Sequence, residues 1–179
     1  PANRFPIETF IQEFDEELVA RAVRQELDRG GQVYYLHNRI ETIEAVADHL
    51  RRLIPRARVA VGHGQMRERD LEQVMARFVR GEVDVLVSTM IVESGLDVPN
   101  ANTMFVHRAD TFGLAQLYQL RGRVGRSHRR ANCYLLVPDG EIDEDANRRL
   151  RILEHHTELG AGYRIALKGD GEKTNVLVQ

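Results

Sequence analysis

Three arginines and two glycines packed into eleven residues mark the place in this chain best equipped to handle phosphate. Gln116–Arg126 reads QLYQLRGRVGR, with Arg121, Arg123 and Arg126 set around Gly122 and Gly125. A guanidinium is always charged and planar, so it can hold two phosphoryl oxygens at once. Placed on the charge that develops at a transferring γ-phosphoryl group, one such arginine is worth several orders of magnitude in rate. Each glycine costs a helix roughly 1 kcal/mol against alanine, a poor choice in a segment meant only to pack. By itself the cluster suits an anion or nucleic-acid patch equally well. From Thr111 to Pro138 there is no Asp or Glu, while Arg129 and Arg130 join the other three arginines. An acidic stretch follows at once, with Asp139, Glu141, Asp143, Glu144 and Asp145. With a net charge of −2 overall, this reads as one positive patch on a near-neutral body rather than a surface that coats polyanions.

Three further segments put polar residues where a strand-like run stops. Thr89 ends DVLVST and is followed by Gly95-Leu96-Asp97; on the residues alone, GLDVP is a turn in which Pro99 stops the next element. Asn38 and Arg39 follow the run QVYYLH. Gly62-His63-Gly64-Gln65-Met66 is a tight loop whose glycines allow a phosphate to approach the backbone closely. His63 there is either a phosphate donor or a structural residue. Other chemistries find little support. No Cys/His grouping has zinc spacing, and His155 and His156 simply adjoin. Ser88, Ser94 and Ser127 lack a GxSxG elbow. The single cysteine, Cys133, lies in the apolar run ANCYLLV and reads as core; one cysteine makes no internal disulfide, so a cytoplasmic location is expected. No apolar run is long enough to span a bilayer, and no signal-peptide pattern opens the chain.

The elements that must position these residues alternate in type. Strands are expected at Gln32–Asn38, Ala57–Val61, Asp84–Thr89, Asn102–His107 and Asn132–Val137, with Pro6–Phe14 as an edge strand or entry linker. Helices are expected at Glu16–Leu27, Ile40–Ile54, Arg67–Val79 and Gly113–Val124, with another over about Asp143–Leu159. The helix at 67–79 shows the spacing plainly, with Leu71, Val74, Met75 and Phe78 on one face. Strands that are apolar throughout are buried on both faces, which predicts an α/β three-layer domain with a mainly parallel sheet of five to six strands. Ligands of such sheets meet the carboxyl ends of the strands, after Asn38, Val61, Thr89, His107 and Val137.

Gln119-x-x-Gly122-Arg123-x-Gly125-Arg126 resembles motif VI of the superfamily 2 helicases, whose second motor lobe has a RecA-like fold. The resemblance implies that Arg123 and Arg126 are catalytic finger residues reaching ATP held on a first lobe, with Gln119 close to the nucleotide. Val83–Thr103 resembles motif V, which implies a DNA-phosphate contact for Thr89 and nucleotide-proximal places for Gly95 and Asp97. YYLHNRI falls where motif IV belongs, so Asn38 and Arg39 are expected to face DNA, together with His63 and Gly64. The run from Arg108 to His128 is similar to the bacterial transcription-repair coupling factors, as are GGQVYYLHNRIETIE, VGHGQM and RRLRILEHHTELGAGYRIALK. Fork-remodelling branch-migration helicases share these motifs. Membership implies ATP-powered translocation on double-stranded DNA, displacement of RNA polymerase and recruitment of excision-repair proteins.

The resemblance divides the chain into a second RecA-like lobe (1–140), a helical translocation-motif extension (141–168) and an unmatched tail (169–179). No GxxxxGK[ST] phosphate loop is present, and Lys168 and Lys173 are the only lysines. Asp15-Glu16-Glu17 and Asp143-Glu144-Asp145 imitate an acidic magnesium site, but the first precedes a helix, where carboxylates suit the dipole. ATP and Mg2+ are therefore expected mainly on the first lobe, with no metal site here and no turnover by this chain alone. The rival class is a non-catalytic phosphate- or nucleic-acid-binding module acting through Arg121–Arg130. A dinucleotide enzyme is disfavoured because no GxGxxG follows the first strand.

Overall fold

The computed structural model describes residues 7–89, 100–124, 129–140, 142–154, 163–169 and 172–178. The first half alternates strictly: β1 Ile7–Glu13, α1 Glu16–Asp28, β2 Gln32–Leu36, α2 Ile40–Leu53, β3 Val59–Gly62, α3 Glu68–Val79 and β4 Val85–Ser88. The second half runs β5 Ala101–Val106, a 3-10 turn Ala109–Thr111, α4 Leu114–Arg121, β6 Ala131–Val137, α5 Glu144–Glu154, β7 Tyr163–Gly169 and β8 Glu172–Val178. Strands β1 to β6 form one sheet in the order β1-β6-β5-β2-β4-β3, parallel at every pairing. This is the three-layer RecA-like arrangement expected, with Ile7–Glu13 as the edge strand.

Alternation of side chains along buried strands divides the core in two. Tyr34, Leu36, Leu86, Met104 and Val106 face the layer made by α3, α4 and α5, which contributes Met75, Phe78, Leu117, Leu120, Leu150 and Leu153. Val33, Tyr35, Val85, Val87 and Phe105 face the other layer, where α1 supplies Val19 and Val23 and α2 supplies Ile43, Ala47 and Leu50. Both faces of β2 and β5 are covered, which is why those strands carry no alternating polar residue.

Both acidic stretches that imitate a metal site serve as helix caps. The Asp15 carboxylate accepts from the Glu17 N–H at 2.9 Å, and Asp143 accepts from the Ala146 N–H at 2.7 Å. Each satisfies a first-turn donor that the helix cannot. Gly30, with φ +81, ends α1 in the left-handed region, its N–H bonded to the Leu27 carbonyl at 3.0 Å.

Two expectations are corrected. β3 begins at Val59 rather than Ala57, because Ala57 closes a turn onto the Ile54 carbonyl and the Arg58 N–H donates to the Asp84 carboxylate. The extension is not helical throughout: after α5, described over Glu144–Glu154, β7 and β8 form an antiparallel hairpin. The expected helical residues 155–159 lie outside those described. Gly169 at the end of β7 pairs with Glu172 at the start of β8. β7 lies alongside β1, covering the edge that β1 would otherwise expose.

Candidate functional site

Register at the carboxyl edge of the sheet assembles residues that are far apart in sequence. Leu36 of β2 pairs with Ser88 of β4, and Ser88 with Gly62 of β3. The three strands therefore end level, and the residues beyond them, His37-Asn38, Thr89 and His63-Gly64, leave the sheet side by side at strand spacings of about 4.8 Å. Asn38 and Arg39 are exposed, while Thr89 is only 8% exposed. His63 is half-buried: its Nδ1 accepts from the Gln65 N–H at 3.2 Å, which in a neutral ring places the proton on Nε2 as a donor. A Cβ on Gly64 would meet nothing within 4 Å, so no packing demand explains this exposed glycine.

On the other side of β2, β5 extends the row. The His107 N–H donates to the Leu36 carbonyl at 2.9 Å, and the His37 and His107 rings lie 5.0 Å apart. An open cleft of about 450 Å3 lies there between the ends of β2 and β5. Thr42, His107, Arg108 and Thr111 line it with His37, Asn38 and Arg39. His37, Thr42, Arg108 and Thr111 are not among the candidate residues named from the sequence. A signal existed, since β2 and β5 both run straight into a histidine followed within two residues by an arginine.

Burial lowers the pKa of His107 to about 4, with the neighbouring His37 and Arg108 adding to the effect. Burial and then Arg39 lower that of His37. Near pH 7 both rings are neutral. An unfolded histidine takes its proton near pH 6.5, whereas folded His107 resists protonation down to about 4, so the unfolded chain binds the extra proton between those values. Folding is thus penalised increasingly as pH falls from about 6.5 to about 4. The thermal midpoint is expected to drop across this window, and His107→Gln to flatten the drop. Identical pH profiles for the two proteins would contradict this.

The arginine cluster does not form one patch. Arg121 is 2% exposed and lies over the Tyr118 ring, 5.4 Å from its centroid, because helical spacing turns it inward with Leu117 and Leu120. Arg129 donates to the Arg29 carbonyl, and Arg130 pairs with Glu8 at 3.3 Å. Those contacts fall at the amino edge of the sheet, opposite the row. Gln119 is exposed on α4, and Arg123 is half-buried in the turn after it. Neither joins the row. Gly122 ends α4 with φ −67, a value open to any residue, so the backbone alone does not require glycine there. Gly95, Asp97, Gly125 and Arg126 lie outside the described residues. Among the described residues no group of His, Cys, Asp or Glu is placed to hold a metal ion, and no helix is long and apolar enough to cross a membrane.

A parallel α/β lobe with polar residues beyond level strand ends, and Gly122 and Arg123 following a separate helix, has the build of a helicase lobe. The helicase conserved C-terminal domain matches residues 14–128, and the chain belongs to that family. It is 53% identical over 178 residues to the transcription-repair coupling factor of Haemophilus influenzae, covering 96% of this chain and 16% of that protein. It is 52% identical over 169 residues to the Bacillus subtilis coupling factor, covering 94% of this chain and 14% of that protein. The chain thus spans only about a sixth of these relatives. Among solved structures, RecG bound to a three-way DNA junction shares 38% identity with a TM-score of 0.74, over 85% of this chain and 20% of that one. Dbp5 of S. cerevisiae bound to RNA and ADP BeF3 has a TM-score of 0.61 at 18% identity, over 86% of this chain and 41% of that one, a likeness of fold alone.

Proposed function

We propose that this chain is the second motor lobe of an ATP-dependent double-stranded DNA translocase acting in transcription-coupled repair. Residues 1–140 form the lobe and 141–168 the start of the translocation motif, with 169–179 continuing its hairpin. The observation that carries the reading is that β2, β4 and β3 end level, which sets Asn38, Thr89 and His63 just beyond three adjacent strands. Amide, imidazole and hydroxyl groups at that spacing suit a phosphate backbone, which they hold without reading sequence. Arg39 and the open backbone at Gly64 fit the same role.

The nucleotide belongs to a different surface. Arg123 and Arg126 serve the phosphate end of a nucleotide presented by a first lobe, with Gln119, Gly95 and Asp97 close to that nucleotide. The exposure of Gln119 fits that reach, and the described residues offer no donor set for Mg2+. ATP and Mg2+ are bound mainly by the first lobe, where hydrolysis supplies the energy for movement. This lobe contributes permanent positive charge at the far side of the γ-phosphate and the surface that tracks DNA. This chain alone does not turn over ATP. The full-length protein acts in the cytoplasm, displaces stalled RNA polymerase and brings in excision-repair proteins. A second reading, a lobe of a fork-remodelling helicase, is favoured by the 38% identity to RecG.

The test is duplex binding by the full-length protein across a salt series. Arg39→Gln is expected to weaken binding and to reduce the slope of log K against log salt by about one. Arg52→Gln, an exposed arginine at the far end of α2, serves as the control. If the two variants behave alike, the row is not the DNA face.

A further inference from the structure

We propose that the crevice between the carboxyl ends of β2 and β5 is a second site for a DNA backbone phosphate, centred on Arg108. The inference rests on the row being a DNA face and extends that face by one strand, since β5, β2, β4 and β3 are successive neighbours.

The topology opens this crevice. β2 and β5 are adjacent and parallel, with Leu36 opposite Val106. The chain leaving β2 enters α2 on one face of the sheet, whereas the chain leaving β5 enters α4 on the other. Adjacent strands whose connections part to opposite faces leave a gap beyond their carboxyl ends, the usual ligand position in such sheets. Here the gap is bounded by Arg39 and Thr42 on one side and by Arg108 and Thr111 on the other, and no carboxylate lines it.

Four features suit a phosphate. Arg39 provides no side-chain cap for α2; the Thr42 N–H turns back to the Arg39 carbonyl at 3.3 Å, and the Ile40 and Glu41 N–H groups of this 14-residue helix are the ones a phosphate could take. His37, 5% exposed, lines the cleft, and its Nδ1 has no partner, although its Nε2 is bonded to the Thr42 hydroxyl oxygen at 2.6 Å. The positive charge of the cleft comes from two guanidiniums, that of Arg39 and that of Arg108, the latter paired with Asp110. Arg108 is the one non-glycine residue with positive φ among those described, at φ 53 and ψ 54.

That backbone state is fixed from several directions. The Arg108 carbonyl accepts from the Thr111 N–H at 2.9 Å and hydroxyl at 2.7 Å, and its guanidinium holds Asp110 at 3.0 and 2.8 Å. Arg149 of α5 clamps the same turn, donating to the Asp110 and Phe112 carbonyls at 2.8 and 3.1 Å. Left-handed backbone at a residue with a long side chain persists where surrounding contacts over-determine it, and such residues cluster at ligand sites. A guanidinium held in place loses less freedom when a phosphate arrives.

The experiment measures labelled-duplex binding and ATP turnover by the full-length protein. Arg108→Asn removes the charge while keeping a residue that tolerates left-handed backbone. It is expected to weaken duplex binding about fivefold to tenfold near 0.1 M salt and to lower the salt slope by about one. Arg108→Lys is expected to keep the slope and recover most of the affinity. Should Arg108→Asn not fold, Thr111→Val and Arg108→Lys carry the test, with an affinity loss of about twofold to threefold expected in each. Wild-type affinity in both of those variants would overturn the proposal. An unchanged affinity and slope in folded Arg108→Asn, beside a reduced slope in Arg39→Gln, would empty the crevice while leaving the row as a DNA face. Unchanged slopes in both would remove the row as well. A raised KM for ATP with intact DNA binding would assign the phosphate to the nucleotide and overturn the proposal.

Discussion

Replacing Arg126 by Ala in the full-length protein is expected to lower ATP turnover by about three orders of magnitude while leaving duplex affinity within about threefold. The asymmetry is the point. A guanidinium that only helped to hold DNA would cost affinity and reduce the salt slope by about one when removed. A guanidinium set on developing γ-phosphate charge contributes chiefly in the transition state, so its loss appears in kcat. Arg123→Ala is expected to behave similarly, since the two arginines stand three residues apart in the same Gly-Arg segment. Arg126→Lys should recover little, because an ammonium lacks the planar two-pronged fork. Near-normal turnover in Arg126→Ala would sink the finger assignment. Loss of DNA binding with turnover intact would favour the rival reading of a nucleic-acid patch. The burial of Arg121 and the engagement of Arg129 and Arg130 at the amino edge already weaken that rival.

Gly31→Ala is expected to destabilise the lobe by about 3 kcal/mol, the second large effect. A Cβ at this position would stand 2.0 Å from a carboxylate oxygen of Glu26 and 3.1 Å from the Asn100 carbonyl. Glu26 is 1% exposed, and its carboxylate accepts from Arg29 at 2.5 and 2.6 Å and from the Thr103 hydroxyl at 2.6 Å. A flexible carboxylate would swing aside at small cost in the open. Here moving it strips a buried charge of its partners and leaves the buried Thr103 hydroxyl without its acceptor. For a lobe of this size the thermal midpoint should fall by about 6–12 °C. A shift under about 2 °C would show that the end of α1 repacks freely. The effect should be confined to stability, because the cluster sits at the amino edge, away from the row.

The alternation of elements was legible because of burial. Strands covered on both faces are mainly apolar without alternation, and QVYYL and ANTMFV are such runs, their polar residues Gln32, Asn102 and Thr103 gathered toward the strand starts. Helices covered on one face show the 3.6-residue period, as with Met75 and Phe78 of α3. The role of Asp15 was legible too, since a carboxylate just before a helix is chemically suited to its free N–H groups. The start of β3 was not, because Ala57 and Arg58 look like strand yet are held by Ile54 and by Asp84, the latter 26 residues away. The β7–β8 hairpin was missed although Asp170-Gly171 between β-prone runs is a local signal.

Local chemistry on its own marks the candidates for phosphate: the Gly-Arg segment with Arg123 and Arg126, and the polar residues that follow apolar runs at Asn38, His63 and Thr89. It also settled the α/β class, since periodicity and burial are written residue by residue. Tertiary structure alone decided which of them meet. Strand order and register come from pairings across tens of residues, and these bring β2, β4 and β3 to a level edge and set β5 beside β2. The same pairings carry Arg129 and Arg130 to the opposite edge, helix packing takes Arg121 into the interior, and the pairing of β2 with β5 sets Arg39 and Arg108, each just past a strand-ending histidine, on the two sides of one crevice.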